Sequence, residues 1–181
     1  TSKIPEVVQL MQEAGIQRFK CATIAEAEML GMINAPDVLL AYQPVGPKMV
    51  RLLELAQKYP QTAFSCLTDN ADTAMAISAV FAAQGRRLPV YLDLNVGMNR
   101  AGIKPDKAAL ELYQYLHTLP GVQPVGLHAY DGHIHDTDMV TRKARCDAGY
   151  APVEALAQQI AAGGLPQPVI IAGGTPTLPV H

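Results

Sequence analysis

Helix-like segments alternate with short β-branched runs along this chain at a spacing of about 25 to 30 residues, the length that a βαβ unit occupies. Few folds satisfy that constraint. Parallel strands joined by crossover helices build either an open doubly wound sheet or a barrel, and both gather their chemistry at the C-terminal ends of the strands. Residues 4–14 place Ile4, Val7, Val8 and Met11 on one helical face, and Gly15 follows as a residue that tolerates positive φ. Residues 17–21 read as a strand. Thr23, with Glu26 three positions later, forms a capping-box pattern for a helix that ends by Gly31. The alternation then predicts a strand over 37–41, a helix over 47–58, a strand over 62–67 and a helix over 70–84 closed by Gly85. Strands over 89–94, 122–127 and 168–172 enclose helices over 107–116 and 138–162. No glycine-serine linker, low-complexity tract or charge block interrupts these six strands, so residues 1–181 read as one α/β domain.

Composition narrows the function classes. With 181 residues, 49% of them apolar, the chain can bury a real core. A formal charge of −2 and a pI near 6.2 supply no basic surface for a nucleic acid. The apolar runs fall well short of the roughly 20 residues of a spanning helix, and the first residues lack a signal-peptide pattern, so no membrane association and a cytoplasmic location are expected. Cys21, Cys66 and Cys146 are odd in number and widely spaced; buried free thiols are expected rather than a disulfide framework or a zinc motif.

Three strand-end segments carry the chemistry. In Ala172-Gly173-Gly174-Thr175-Pro176-Thr177 two glycines let the backbone turn tightly and aim N–H groups at an anion, and the Thr175 hydroxyl adds a donor. Neither G-x-G-x-x-G after a first strand nor G-x-x-x-x-G-K-[ST] is present, so nucleotide sites of those types are not expected. In Asp93-Leu94-Asn95-Val96-Gly97-Met98-Asn99-Arg100-Ala101-Gly102-Ile103 a glycine-flanked Arg100 can aim a planar cation at a phenolate or carboxylate. The stretch from Gly126 to Asp136 packs His128, His133 and His135 into eight residues, a density that suits acid/base work or metal binding. A His-x-His metal site would need further ligands, and only His181 follows, so no metal site is assigned within the chain. Taken singly, each segment also reads as an ordinary turn.

In order and spacing the three segments together resemble the pyridoxal-phosphate barrel shared by alanine racemases, D-threonine aldolases and D-serine dehydratases. The Gly97-Met98-Asn99-Arg100-Ala101-Gly102 stretch is similar to the racemase-type strand whose arginine faces the cofactor's phenolic oxygen, which nominates Arg100. Gly126-Leu127-His128-Ala129-Tyr130 resembles the strand whose final aromatic packs against the pyridine ring, which nominates Tyr130; Tyr130-Asp131-Gly132-His133 points to the D-threonine aldolase-like branch. Gly173, Gly174 and Thr175 match the loop that binds the cofactor phosphate.

The resemblance implies a partial TIM-type (β/α)8 barrel with about six parallel βα units, its first and last strands and a C-terminal β domain lying outside this chain. It implies bound pyridoxal 5'-phosphate, a small-molecule D-amino acid substrate and a homodimer. In the full-length enzyme a divalent metal is expected, with ligands outside this chain. The family's Schiff-base lysine lies in a run resembling Arg-Pro-His-x-Lys-Thr-His-Lys, onto whose last three positions Thr1-Ser2-Lys3 align with serine for histidine. The cofactor-bearing lysine is therefore expected just before Thr1, with Lys3 as the lesser choice. His133 and His135 are the candidates for base or metal-water partner, in retro-aldol cleavage or in elimination of a hydroxyl. A racemase is the alternative among enzymes. A non-catalytic pyridoxal-phosphate homeostasis protein is the other, although those proteins carry a different histidine-glycine-leucine-glutamine strand.

Overall fold

The periodicity of the apolar runs is realised almost element for element. A computed structural model describes residues 3–181. Along it run α1 (Pro5–Glu13), β1 (Arg18–Cys21), α2 (Ile24–Met32), β2 (Asp37–Leu40), α3 (Pro47–Lys58), β3 (Ala63–Thr68) and α4 (Ala71–Ala82). Then come β4 (Leu88–Leu94), α5 (Lys107–Thr118), β5 (Val122–Ala129), α6 (Met139–Ala162), β6 (Val169–Ala172) and a 3-10 turn at Thr175–Thr177. Each expected strand and helix is present within two residues of its expected bounds; the 3-10 turn is new.

The six strands belong to one sheet in the order β1-β2-β3-β4-β5-β6. A doubly wound sheet reverses its strand order at a switch point, and this order follows the chain without reversal. The fold is therefore α/β with the strand order of a (β/α)8 barrel, six units of which are present. Among the described residues no helix is long and apolar enough to cross a membrane.

Packing divides the residues into two compact units. One is built from the chain up to Leu67 with Asp72–Val90 and Pro120–Gln123; the other from Thr68–Ala71, Tyr91–Leu119 and Pro124–His181. In the first, β1 pairs parallel with β2, Cys21 opposite Leu40, and β2 with β3, Leu40 opposite Cys66. Val38, Leu39 and Leu40 are buried in succession, as a parallel strand covered on both faces requires. On α3, Met49, Leu52 and Leu53 recur at helical spacing and are buried, whereas Lys48, Arg51 and Glu54 face water. Each such leucine contributes about 2 kcal/mol.

Half of the capping box expected on α2 forms. The Thr23 hydroxyl accepts the Glu26 N–H at 3.2 Å, but the buried Glu26 carboxylate reaches one residue past the cap and accepts the Ala22 N–H at 2.7 Å. That backbone bond, with the Lys3 ammonium 3.0 Å away, holds the Glu26 carboxyl below its ordinary range. A depressed carboxyl pKa stabilises the fold above the unfolded-state value and loses that contribution as pH falls through the folded-state value. Urea denaturation of the full-length protein should show Thr23→Ala costing about 1 kcal/mol. The stability gap between wild type and Glu26→Gln should close as pH drops below about 4.

In the second unit β5 pairs parallel with β6, Gly126 opposite Val169 and Ala129 opposite Ala172. A Cβ on Gly126 would fall 2.1 Å from the Val169 carbonyl oxygen, so only glycine allows this approach. Asp106 caps α5 and Asp138 caps α6 by accepting the N–H groups of Ala108 and Thr141. Cys146, Val153, Leu156 and Ile160 form the buried stripe of α6.

Candidate active site

Beyond Leu94 the chain leaves β4 in a loop that closes on itself. Leu94 and Ile103 bridge; the Asn95 N–H donates to the Ile103 carbonyl at 2.8 Å, and the Ile103 N–H to the Asp93 carbonyl at 3.0 Å. Inside the loop the Asn95 side-chain oxygen accepts the N–H groups of Gly97 and Asn99, each at 3.1 Å. Gly102, at φ 95°, sits so close to the strand that a Cβ would lie 2.7 Å from the Asn95 nitrogen. Its N–H donates to Asp69 at 3.0 Å. This internal bonding fixes the backbone that carries Arg100. The exposed guanidinium lies 5.2 Å from the centre of the Tyr130 ring, within cation–π range.

Strand β5 continues two residues past its expected end, because His128 and Ala129 find partners in Ile171 and Ala172. Tyr130 follows at once and folds back over Gly132, where a Cβ would meet its hydroxyl at 2.1 Å. Asp131 is 5% exposed. One of its carboxylate oxygens accepts the Thr177 hydroxyl at 2.7 Å, and the other lies 2.8 Å from His181 Nε2. The Thr177 oxygen in turn accepts the Gly174 N–H at 2.8 Å, and Gly174 passes so near Gly132 that a Cβ would stand 2.9 Å from its Cα. A buried carboxylate thus latches the loop after β5 to the loop after β6.

The latch changes how the glycine loop works. Gly173, at φ 100°, gives its N–H to the Ala129 carbonyl at 3.1 Å, and Gly174 gives its own to Thr177. Both amides are engaged inside the protein instead of pointing at an anion. The glycines supply the turn and the close passage, and the exposed Thr175 is left to meet a ligand. The Thr175 hydroxyl, the Arg100 cation and the Tyr130 ring, carried by strand-end loops of one unit, are the groups that could hold a planar ring bearing a phosphate and an ionised oxygen.

The histidines separate. The His133 ring lies against Gly97, whose added Cβ would be 2.8 Å from Nε2, and its buried Nδ1 has no hydrogen-bond partner among the described residues. His135 is exposed, with Nδ1 2.8 Å from the His133 carbonyl. Arg142 ties this loop to the 3-10 turn, donating to the carbonyls of Asp136 at 2.6 Å and Pro176 at 2.9 Å. A pair that the sequence reading passed over lies on the strands: buried His128, its Nδ1 2.7 Å from Asp93 and its Nε2 without a partner among the described residues. Polar residues two positions short of Asn95 and Tyr130, inside otherwise apolar strands, were the available signal.

In the first unit Thr23 serves as a helix cap, and Tyr42 lines a pocket of about 240 Å3 with Lys48 and Arg51. Thr1 and Ser2, onto which the family's lysine run aligns, lie outside the described residues; Lys3 is paired with Glu26.

Residues 2–181 match the family profile described as "Alanine racemase, N-terminal domain". The D-threonine aldolase of Arthrobacter sp. is 28% identical over 174 residues, 96% of this chain and 45% of that protein. The D-threo-3-hydroxyaspartate dehydratase of Delftia sp. (strain HT23) is 26% identical over 180 residues, 98% of this chain and 47% of that protein. Alanine racemases align over a shorter stretch, 142 residues in that of Clostridium tetani. Among solved structures, the D-threonine aldolase of Filomicrobium marinum superposes with a TM-score of 0.90 at 25% identity, covering 97% of this chain and 47% of that one. The chain spans about half the length of the relatives it matches.

Proposed function

Because the chain belongs to the alanine racemase N-terminal domain family, whose solved neighbours are pyridoxal-phosphate enzymes of fold type III, we propose that it forms the cofactor-binding part of a lyase acting on D-amino acids. The observation that carries this reading is the placement of the Arg100 cation over Tyr130, with the neighbouring Asp131 latched to the loop that bears Thr175. Pyridoxal phosphate, when bound, supplies a conjugated sink for the electron pair left at Cα. Arg100 would hold the ring's ionised oxygen, Tyr130 would pack against the ring, and Thr175 would donate to the phosphate, with Gly173 and Gly174 shaping the turn. His133 would take the proton from a substrate β-hydroxyl in retro-aldol cleavage, or return one to a departing hydroxyl in elimination. His135, turned to solvent, is the second candidate.

The lyase reading is preferred to the racemase because Tyr130-Asp131-Gly132-His133 resembles the aldolase branch and because the relatives that align over nearly the whole chain are named as an aldolase and a dehydratase. The substrate would be a small β-hydroxy D-amino acid, and the full-length protein would act as a homodimer with a divalent metal. Full-length protein should carry the yellow absorbance of lysine-bound cofactor, fixed by borohydride onto the lysine preceding Thr1; label on Lys3 would refute that register. Thr175→Val should weaken cofactor retention about tenfold or more on dialysis, since a hydrogen bond to a charged group contributes about 1.5 to 3 kcal/mol. Unchanged retention would remove Thr175 from the phosphate site.

A further inference from the structure

Behind the latch lies a cavity of about 10 Å3, bordered by Val96, Ala129, Asp131, Cys146, Tyr150 and His181. It has room for about one body the size of a water molecule or an ion. Around it a carboxylate oxygen of Asp131, the sulfur of Cys146 and a ring nitrogen of His181 all lie within 4.8 Å of one another. They come from three segments: the loop after β5, the middle of α6 and the chain beyond the 3-10 turn. We propose that Asp131, Cys146 and His181 form a divalent-metal site suited to zinc, separate from any metal whose ligands lie outside this chain.

The donor set is the first argument. One thiolate, one imidazole and one carboxylate match the borderline-soft preference of zinc, with a fourth position left for water. The second is that the ligands are already oriented. His181 is held between Gly173, whose added Cβ would be 3.1 Å from the ring, and the Tyr150 ring at a centroid distance of 5.9 Å. The Thr177 hydroxyl donates to the Asp131 oxygen that does not face His181, as partners behind metal ligands commonly do. The third is the placement of Cys146. A buried cysteine that only fills space needs no polar company, yet this one faces a carboxylate and an imidazole across a gap. Cys21 and Cys66, equally buried, belong to no such group among the described residues.

The protons balance simply. The ion displaces the Cys146 S–H proton and takes the place of the hydrogen that His181 Nε2 shares with Asp131, that hydrogen passing to Nδ1, so one proton leaves for each ion bound. Occupied, the site would clamp α6 to both loops of the candidate active site.

The test uses the full-length protein, stripped with a chelator and titrated with cobalt(II). Wild type should bind one more cobalt per protomer than Cys146→Ser, release one more proton, and show a thiolate-to-cobalt charge-transfer band in the difference spectrum between the two. Cys21→Ser and Cys66→Ser should match wild type. His181→Gln, which leaves the buried core intact, should weaken that cobalt binding at least tenfold with an unchanged far-ultraviolet circular dichroism spectrum. A difference spectrum without a thiolate band overturns the proposal, as does a His181→Gln protein that binds cobalt like wild type. Either result would leave Asp131 and His181 joined by hydrogen bonds alone.

Discussion

Replacing Asp131 with alanine is expected to destabilise the protein by roughly 3 kcal/mol and to loosen its hold on the cofactor along with it. The carboxylate is buried and serves two partners, the Thr177 hydroxyl at 2.7 Å and the His181 ring at 2.8 Å. Thr177 is itself fully buried, and without the carboxylate its hydroxyl keeps only the Gly174 carbonyl, 3.0 Å away, as acceptor. A hydrogen bond to a charged group contributes about 1.5 to 3 kcal/mol, and the buried Thr177 and the more exposed His181 lose one each. Because Thr177 also receives the Gly174 N–H, the damage passes directly to the loop that carries Thr175. Asp131→Asn keeps the shape and one acceptor oxygen and should lose less than half as much. Thermal unfolding and cofactor dissociation, measured on the same full-length variants, should change together. An alanine variant within 1 kcal/mol of wild type that retains cofactor normally would show that the latch does not hold the loop.

His133→Gln is expected to lower turnover by roughly 100-fold while leaving the cofactor absorbance intact, the size of loss that follows removal of a general acid or base. Its ring lies against Gly97 in the loop that carries Arg100, and its Nδ1 is buried without a partner among the described residues. His135 faces solvent and leans on its own loop's carbonyl, so His135→Gln should cost no more than a few-fold. Steady-state kinetics on both variants decide between them. A larger loss at His135 would exchange their roles.

The elements were legible in the sequence because their signals are local. Thr23 with Glu26, Gly15 and Gly85 mark helix ends through bonds and dihedrals that span a few residues, and the hydrophobic spacing of α3 fixes its buried face within twelve. The choice between barrel and doubly wound sheet was not legible in the periodicity, since strand order depends on which distant strands pair; the barrel came from the family resemblance of the three strand-end motifs, and the strand order bears it out. Arg100, Tyr130 and the glycine loop stood out as motifs, and the structure brings the first two together. The latch did not stand out: Asp131 meets Thr177 and His181 across 46 and 50 residues, a meeting set by the register that puts Gly126 opposite Val169. The same register extends β5 to Ala129 and takes up the Gly173 amide that local reasoning would aim at a phosphate. Asp93 and His128 likewise pair across 35 residues.

The most direct measurement is incubation of the full-length protein, loaded with pyridoxal phosphate and a divalent cation, with the D- and L-isomers of threonine, serine and alanine. The lyase reading expects D-threonine to give glycine and an aldehyde, or D-serine to give pyruvate, with the L-isomers untouched. Interconversion of the alanine enantiomers without aldehyde or pyruvate would contradict it in favour of a racemase, and no turnover of any of the six would contradict it in favour of a cofactor-binding protein without catalysis.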